Sequence, residues 1–201
     1  MGPQTGSSRP LALVGACAIS WSLVVFGIAL GPPALSAAPA PGLLKALDLA
    51  GYPPGEKPPE FSGRTPEGQS VSLARLRGRV VLLNFWATWC LPCKEEMPVF
   101  QQLHRDFAPQ GLTVLGVNVR EGTSEIREYA RELSLTFPLV LDPNGKIQVL
   151  YGVIGLPTTF LIGRDGMAVA RAIGPRDWGG PQARALIQAL LEERPPSRRA
   201  R

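Results

Sequence analysis

The chain has 201 residues, 45% of them hydrophobic, with three cysteines, one histidine and a formal net charge of +5 at pH 7. That length holds one domain plus a targeting segment, and three cysteines exclude a disulfide-stapled scaffold, so an apolar core must hold the fold. Much of the positive excess lies in Arg194, Arg198, Arg199 and Arg201; no basic stripe interleaved with aromatics occurs elsewhere, which argues against nucleic acid as a partner and for a solvated tail.

Residues 11–30 carry no charged side chain and are closed off by Gly31-Pro32-Pro33. As a helix, about 20 such residues span the hydrocarbon core of a bilayer. Arg9 precedes the run and the next basic residue is Lys45, so the positive-inside rule leaves the N-terminus in the cytoplasm and the remainder outside it. The run is long for the apolar part of a signal peptide, which favours an uncleaved anchor. Leu35-Ser36-Ala37-Ala38, however, offers the small residues of a cleavage site. Lipidation at Cys17 is disfavoured because the apolar run continues well past it. All three readings deliver the domain to an extracytoplasmic, periplasmic-type compartment.

From Pro32 to Pro59 the sequence is rich in Pro, Ala and Gly, with only Leu43–Leu49 hinting at a short helix. Such a composition reads as a semi-extended tether. The expected organisation is an anchor or signal segment over 1–31, a linker over 32–59, a folded domain over 60–194 and a basic tail over 195–201.

Within the domain, Phe61 to Leu73, broken at Thr65-Pro66-Glu67-Gly68, reads as a β-hairpin. Val80–Trp86 is a near-continuous apolar run, the pattern of a central strand buried on both faces. Helical periodicity follows from Glu95 to Phe107, with Pro98 expected to kink it. Leu112–Asn118 is a second apolar strand, and Thr123-Ser124 cap a helix running to Leu133, with Glu125 and Glu128 early in it. Leu139-Val140-Leu141 form a short strand ended by Asp142-Pro143-Asn144-Gly145, and Lys146–Tyr151 one or two helical turns. Thr158–Ile162 and Met167–Ala172 alternate around Arg164-Asp165-Gly166 as an antiparallel hairpin, and Pro181–Glu193 is an amphipathic final helix. This order predicts an α/β fold whose mixed sheet is parallel in the centre, antiparallel at one edge and flanked by helices.

Cys90 and Cys93 fall where the central strand gives way to the helix. Open α/β sheets place their chemistry at the carboxyl end of such strands. A helix start offers unpaired N–H groups and the positive end of the macrodipole, and both favour a thiolate, the reactive form of cysteine. The i, i+3 spacing sets the two sulfurs side by side. A zinc site is disfavoured because only Cys17 and His104 remain as soft ligands. A purely structural bridge closing so short a loop would stabilise the fold weakly. The pattern points to thiol–disulfide chemistry.

Asn84-Phe85-Trp86-Ala87-Thr88-Trp89-Cys90-Leu91-Pro92-Cys93, then Glu96-Met97-Pro98, then Gly155-Leu156-Pro157-Thr158-Thr159-Phe160-Leu161-Ile162 resemble the thioredoxin superfamily, and within it the TlpA/ResA-like branch of membrane-tethered thiol–disulfide oxidoreductases. The resemblance covers about Pro59 to Glu193; the leading hairpin and the extra helix–strand unit near Ser124–Leu141 are similar to that branch and not to minimal thioredoxin. It implies a thioredoxin-like fold, no cofactor and no metal. It also implies that Cys90 is the attacking thiol and Cys93 the resolving one, and that Pro157 is a cis-proline facing the pair. Trp89, Leu91, Pro92, Leu156 and Pro157 are then the residues that meet substrate, Leu156 through short β-like pairing.

Minimal thioredoxins carry a buried acid where this chain has Asn84, and an amide cannot take a proton from Cys93. In the resembling branch the acid–base group is a glutamate at the place of Glu96, three residues beyond Cys93 and on nearly the same helix face. Trp86 reads as core packing. His104, beside Gln101 and Gln102, reads as part of a solvated face. The branch further implies protein disulfides as substrates, apocytochrome c cysteines among them, and a membrane thiol–disulfide protein as electron donor.

Other functions fit less well. Thiol peroxidases of the AhpC/TSA type need Pro-x-x-x-Thr-x-x-Cys, and the positions seven and three before Cys90 are Leu83 and Ala87. Copper delivery would want Cys-x-x-x-Cys and a distal histidine. A non-catalytic binding module using the same groove stays open at this stage.

Overall fold

A computed structural model describes residues 41–193. The expected membrane-crossing run Leu11–Leu30 and the basic tail lie outside them, and among the described residues no helix is long and apolar enough to cross a membrane. The elements in order are α1 (Pro41–Ala46), β1 (Ala50–Gly51), β2 (Ser62–Arg64), β3 (Ser70–Ser72), β4 (Val80–Trp86), α2 (Leu91–Phe107), β5 (Leu112–Val119), α3 (Thr123–Glu132), β6 (Leu139–Asp142), α4 (Lys146–Leu150), β7 (Thr158–Ile162), β8 (Ala168–Ile173) and α5 (Pro181–Glu192).

Six strands form one sheet in the order β1-β8-β7-β4-β5-β6, and β2 and β3 form a separate hairpin. β4 runs parallel to β5, β5 parallel to β6, and β4 antiparallel to β7. This is the mixed sheet the strand–helix order predicts, antiparallel at the edge that the β7–β8 hairpin builds. All seven residues of β4 are buried, as a strand covered on both faces must be. Its alternation divides the core into two layers. Val80, Leu82 and Trp86 face Met97 and Phe100 of α2 and Leu186 and Ile187 of α5. Val81, Leu83 and Phe85 face Phe61, Tyr151 and Phe160. Opposite Asn84 in the register lies Gly116; a Cβ there would come within 2.9 Å of Trp86 Nε1 and of Leu139. Glycine is therefore what lets the Trp86 indole approach β5 this closely.

The expected tether departs from the structure in its second half. From Pro41 onward it supplies α1 and a strand pairing with β8, Ala50 opposite Arg171, and it buries Leu47 and Leu49 in the α2 layer. Two leucines spaced to reach one apolar surface outweigh a Pro- and Gly-rich composition once the β8 edge is there to accept them. The N-cap of α3 is Gly122, one residue before the expected cap, and it makes no side-chain cap bond. The helix α2 continues through Pro98 without interruption.

Gln101 and His104 also depart from the solvated face expected of them. Gln101 is buried, donating to Thr136 Oγ1 at 2.8 Å and accepting its N–H at 2.8 Å. His104 is half-buried, its ring 6.2 Å from that of Phe137. Burial, and then the charge of Arg79, lower its pKa from 6.5. The segment entering β6 covers this side of α2, which no local pattern announces.

Candidate active site

β4 ends at Trp86, and α2 begins five residues later, at Leu91. Cys90 is the N-cap of α2 and Pro92 sits in its first turn, where a missing N–H costs nothing. Cys90 and Cys93 are joined by a disulfide with Cα atoms 5.3 Å apart. Cys90 Sγ accepts the backbone N–H of Cys93 at 3.3 Å. The cap sulfur thus occupies the place a serine or aspartate oxygen takes at other helix starts, at the positive end of a 17-residue helix, which favours a thiolate once the bond is reduced. Cys93, one turn in, is 1% exposed and Cys90 5%.

The surroundings are apolar and uneven. Trp89 and Leu91 are 70% and 68% exposed on either side of Cys90. Pro92 and Leu156 are half-buried and Pro157 is buried, and the Leu156–Pro157 bond is cis. Trp86 is fully buried, its ring 5.1 Å from that of Tyr129.

Asn84 lies on the α2 face of β4 between Leu82 and Trp86. Its Nδ2 donates to Thr159 Oγ1 at 3.0 Å, and its Oδ1 has no partner. A neutral amide brings no charge to desolvate at this position. The carboxylate of this layer is Glu96, 5% exposed. Its Oε1 accepts the backbone N–H of Arg176 at 2.9 Å, and its Oε2 is buried without a partner. Burial raises its pKa from 4.5 to about 7. The Arg176 N–H, the Trp178 indole and the Arg176 guanidinium pull the other way and lose to it. The Trp178 Nε1–H stands near enough to favour the anion but outside hydrogen-bonding geometry. A buried carboxyl three residues beyond the inner cysteine, titrating near neutrality, can hold or release a proton under working conditions.

Residues that the sequence reading did not single out complete the site. Glu121, just past the end of β5, accepts the Thr88 N–H at 2.7 Å, the Thr88 hydroxyl, and Asn118 Nδ2 at 2.6 Å. It clamps the loop between β4 and the cap cysteine. A usable signal exists in hindsight: Asn118 pairs with Trp86 in the β4–β5 register, so whatever follows β5 must lie beside the Ala87–Trp89 loop. Arg176 and Trp178, which meet Glu96 from the loop after β8, carry no sequence signal of comparable kind.

Residues 54–171 match the AhpC/TSA family. Over 142 residues the chain is 35% identical to the thiol-disulfide oxidoreductase ResA of Bacillus thuringiensis subsp. konkukian, an alignment covering 71% of this chain and 79% of that protein. Among solved structures, a thioredoxin-family thiol:disulfide interchange protein from Chlorobium tepidum TLS superposes with a TM-score of 0.61 at 29% identity, over 70% of this chain and 99% of that one. StoA from Bacillus subtilis superposes with a TM-score of 0.52 at 32% identity, over 59% and 90%. With a cysteine pair bonded at a helix start and relatives of this kind, the chain belongs to the AhpC/TSA family of thioredoxin-like proteins and is a thiol–disulfide oxidoreductase similar to ResA.

Proposed function

We propose that this oxidoreductase works as a reductant of protein disulfides outside the cytoplasm, with Cys90 as nucleophile, Cys93 as resolving thiol and Glu96 as the acid–base group between turns. The observation that carries the proposal is the pairing of a cap sulfur that receives an N–H with a buried carboxyl near neutrality one helical turn beyond the inner cysteine.

In the reducing direction the Cys90 thiolate attacks a substrate disulfide. A Cys90–substrate bond forms, the substrate bond breaks, and one substrate thiolate leaves. The Cys93 thiol then passes its proton to the Glu96 carboxylate and attacks the Cys90 sulfur. The second substrate thiolate leaves and the Cys90–Cys93 disulfide closes; two electrons have moved to the substrate. Trp89, Leu91, Pro92 and Leu156 present the surface that a protein substrate covers, with Pro157 beneath it. Recharging takes two electrons from a membrane thiol–disulfide protein, since an extracytoplasmic compartment keeps no reducing pool.

Residues 11–30 serve as anchor or leader, and residues 31–40 link them to the folded domain. Resemblance to the TlpA/ResA-like branch supports apocytochrome c cysteines as one substrate. The test is to incubate the reduced protein with a disulfide-closed Cys-x-x-Cys-His peptide and with insulin, and to measure the potential of the Cys90/Cys93 pair against glutathione. The proposal expects both substrates to be reduced, the peptide faster, and a potential of about −200 to −270 mV, the range of glutaredoxins and thioredoxin. A potential near the roughly −120 mV of a strong oxidant such as DsbA would reverse the direction assigned. An alkaline phosphatase fused at Ala200 should be active; an inactive fusion refutes the topology.

A further inference from the structure

We infer that Arg176 is a positioning residue for Glu96, clamped by the end of α1 so that its backbone N–H is held against the carboxylate. This rests on the acid–base reading of Glu96 for its functional meaning, though not for its geometry.

The clamp is built from several independent contacts. The helix α1 ends in a pair of bonds, Leu49 N–H to Leu44 O at 2.9 Å and Asp48 N–H to Lys45 O at 3.1 Å. This closure puts the residue after the helix in the left-handed region, where Asp48 stands with φ of +49°. Glycine would adopt that conformation without strain; aspartate brings a carboxylate and tolerates the strain better than most residues. The turn aims the Leu47 carbonyl, the Asp48 carbonyl and the Asp48 carboxylate at one guanidinium. Arg176 Nε donates to Leu47 O at 2.8 Å, and its Nη2 donates to Asp48 O at 2.9 Å and Asp48 Oδ2 at 2.8 Å. Its Nη1 donates back to Pro175 O at 2.8 Å in its own loop. A side chain fixed this way leaves the main chain of residue 176 little freedom, and that main chain is what donates to Glu96 Oε1. The guanidinium fork is needed for this, because an ammonium cannot bridge three acceptors in a plane.

Glu96 is faced by Arg176 and Trp178 from this loop and by the cysteine pair on its own helix. Trp178 is 1% exposed and packs with its ring 6.0 Å from that of Phe100, a contact that does not depend on the clamp. Releasing Arg176 therefore removes the N–H while the burial stays, and the carboxyl should become harder to ionise.

The test follows the Glu96 carboxyl carbon by NMR across pH in the oxidised full-length protein, together with hydrogen exchange at the Arg176 amide. Arg176→Lys keeps the charge and loses the fork. It should raise the Glu96 midpoint by about one unit, the scale of a lost charge-assisted hydrogen bond, and speed amide exchange by about tenfold. A wild-type midpoint in Arg176→Lys overturns the proposal, whether or not Arg176→Met shifts it, since the arginine would then act through charge alone. Should Arg176→Lys fail to fold, Asp48→Gly removes the side chain and its carboxylate in a conformation glycine accepts; a smaller upward shift is expected, and none overturns the inference. If Glu96→Gln leaves exchange activity intact while these shifts appear, the acid–base reading fails and the positioning stands.

Discussion

Glu96 and Arg176 lie 80 positions apart in the chain, and Oε1 of the first accepts the backbone N–H of the second at 2.9 Å. One carboxyl oxygen is thus satisfied by a main-chain donor, while the other is buried without a partner. The N–H on the first oxygen favours the anion, burial of the carboxyl favours the protonated form, and burial prevails, raising the pKa to about 7. In the acid–base role proposed for Glu96, the cysteine chemistry would be tied to a group that changes charge in the middle of the physiological range.

Glu96→Gln keeps the shape of the side chain and removes its proton exchange. Turnover with a disulfide substrate at neutral pH should fall by roughly 10²–10⁴-fold, the usual loss with a general base, while the first attack by Cys90 stays near wild type. Glu95→Gln, on an exposed neighbour, should change little. Stopped-flow measurement of the two steps separates them.

The same group makes stability depend on pH. Its folded pKa lies above its unfolded one, about 7 against 4.5, so the folded state binds the proton more tightly. That contribution is fully present below 4.5, declines as pH rises and is gone once pH passes about 7, a loss of about 3 kcal/mol. Denaturant midpoints of the oxidised protein should fall between pH 5 and 8, and in Glu96→Gln that slope should largely vanish.

Glu121→Ala strips three donors of their acceptor, two on Thr88 and one on Asn118. Leaving partly buried donors unpaired costs about 1–3 kcal/mol. The melting temperature should drop, and the loop carrying Trp89 and Cys90 should exchange its amides faster. Glu121→Gln, which keeps an acceptor, should recover part of both.

Trp89→Ala removes the large exposed ring beside the cap cysteine. It should raise KM for protein disulfides several-fold and leave the rate with a small disulfide such as oxidised glutathione close to wild type, because only an extended partner covers that ring. The pair of substrates in one assay checks it.

How much of this was legible in the sequence depends on whether the cause is local. β4 announced itself because its residues are apolar on both faces, and the cysteine pair because strand, turn and helix follow each other within a few positions. Leu47 and Leu49 did not: their burial arises only when Ala50 pairs with Arg171 at the far end of the chain. The role of Glu121 depends on Thr88, 33 positions earlier, and Arg176 acts through a backbone N–H that every residue but proline has. Gln101 and His104 read as a wet helix face until the approach to β6 covers them. Side chains whose partners come from distant loops leave no period and no motif behind.

The most direct measurement of the central claim is trapping. The Cys93→Ala and Cys90→Ala variants, each reduced and mixed with a disulfide-bonded protein substrate, are quenched with acid and mapped by mass spectrometry. The account predicts a mixed disulfide on Cys90 in the Cys93→Ala protein and almost none in the Cys90→Ala protein, because the cap sulfur has the helix N–H and is the less buried of the two, 5% against 1% exposed. Mixed disulfides accumulating on Cys93 instead, or on neither cysteine, would contradict it.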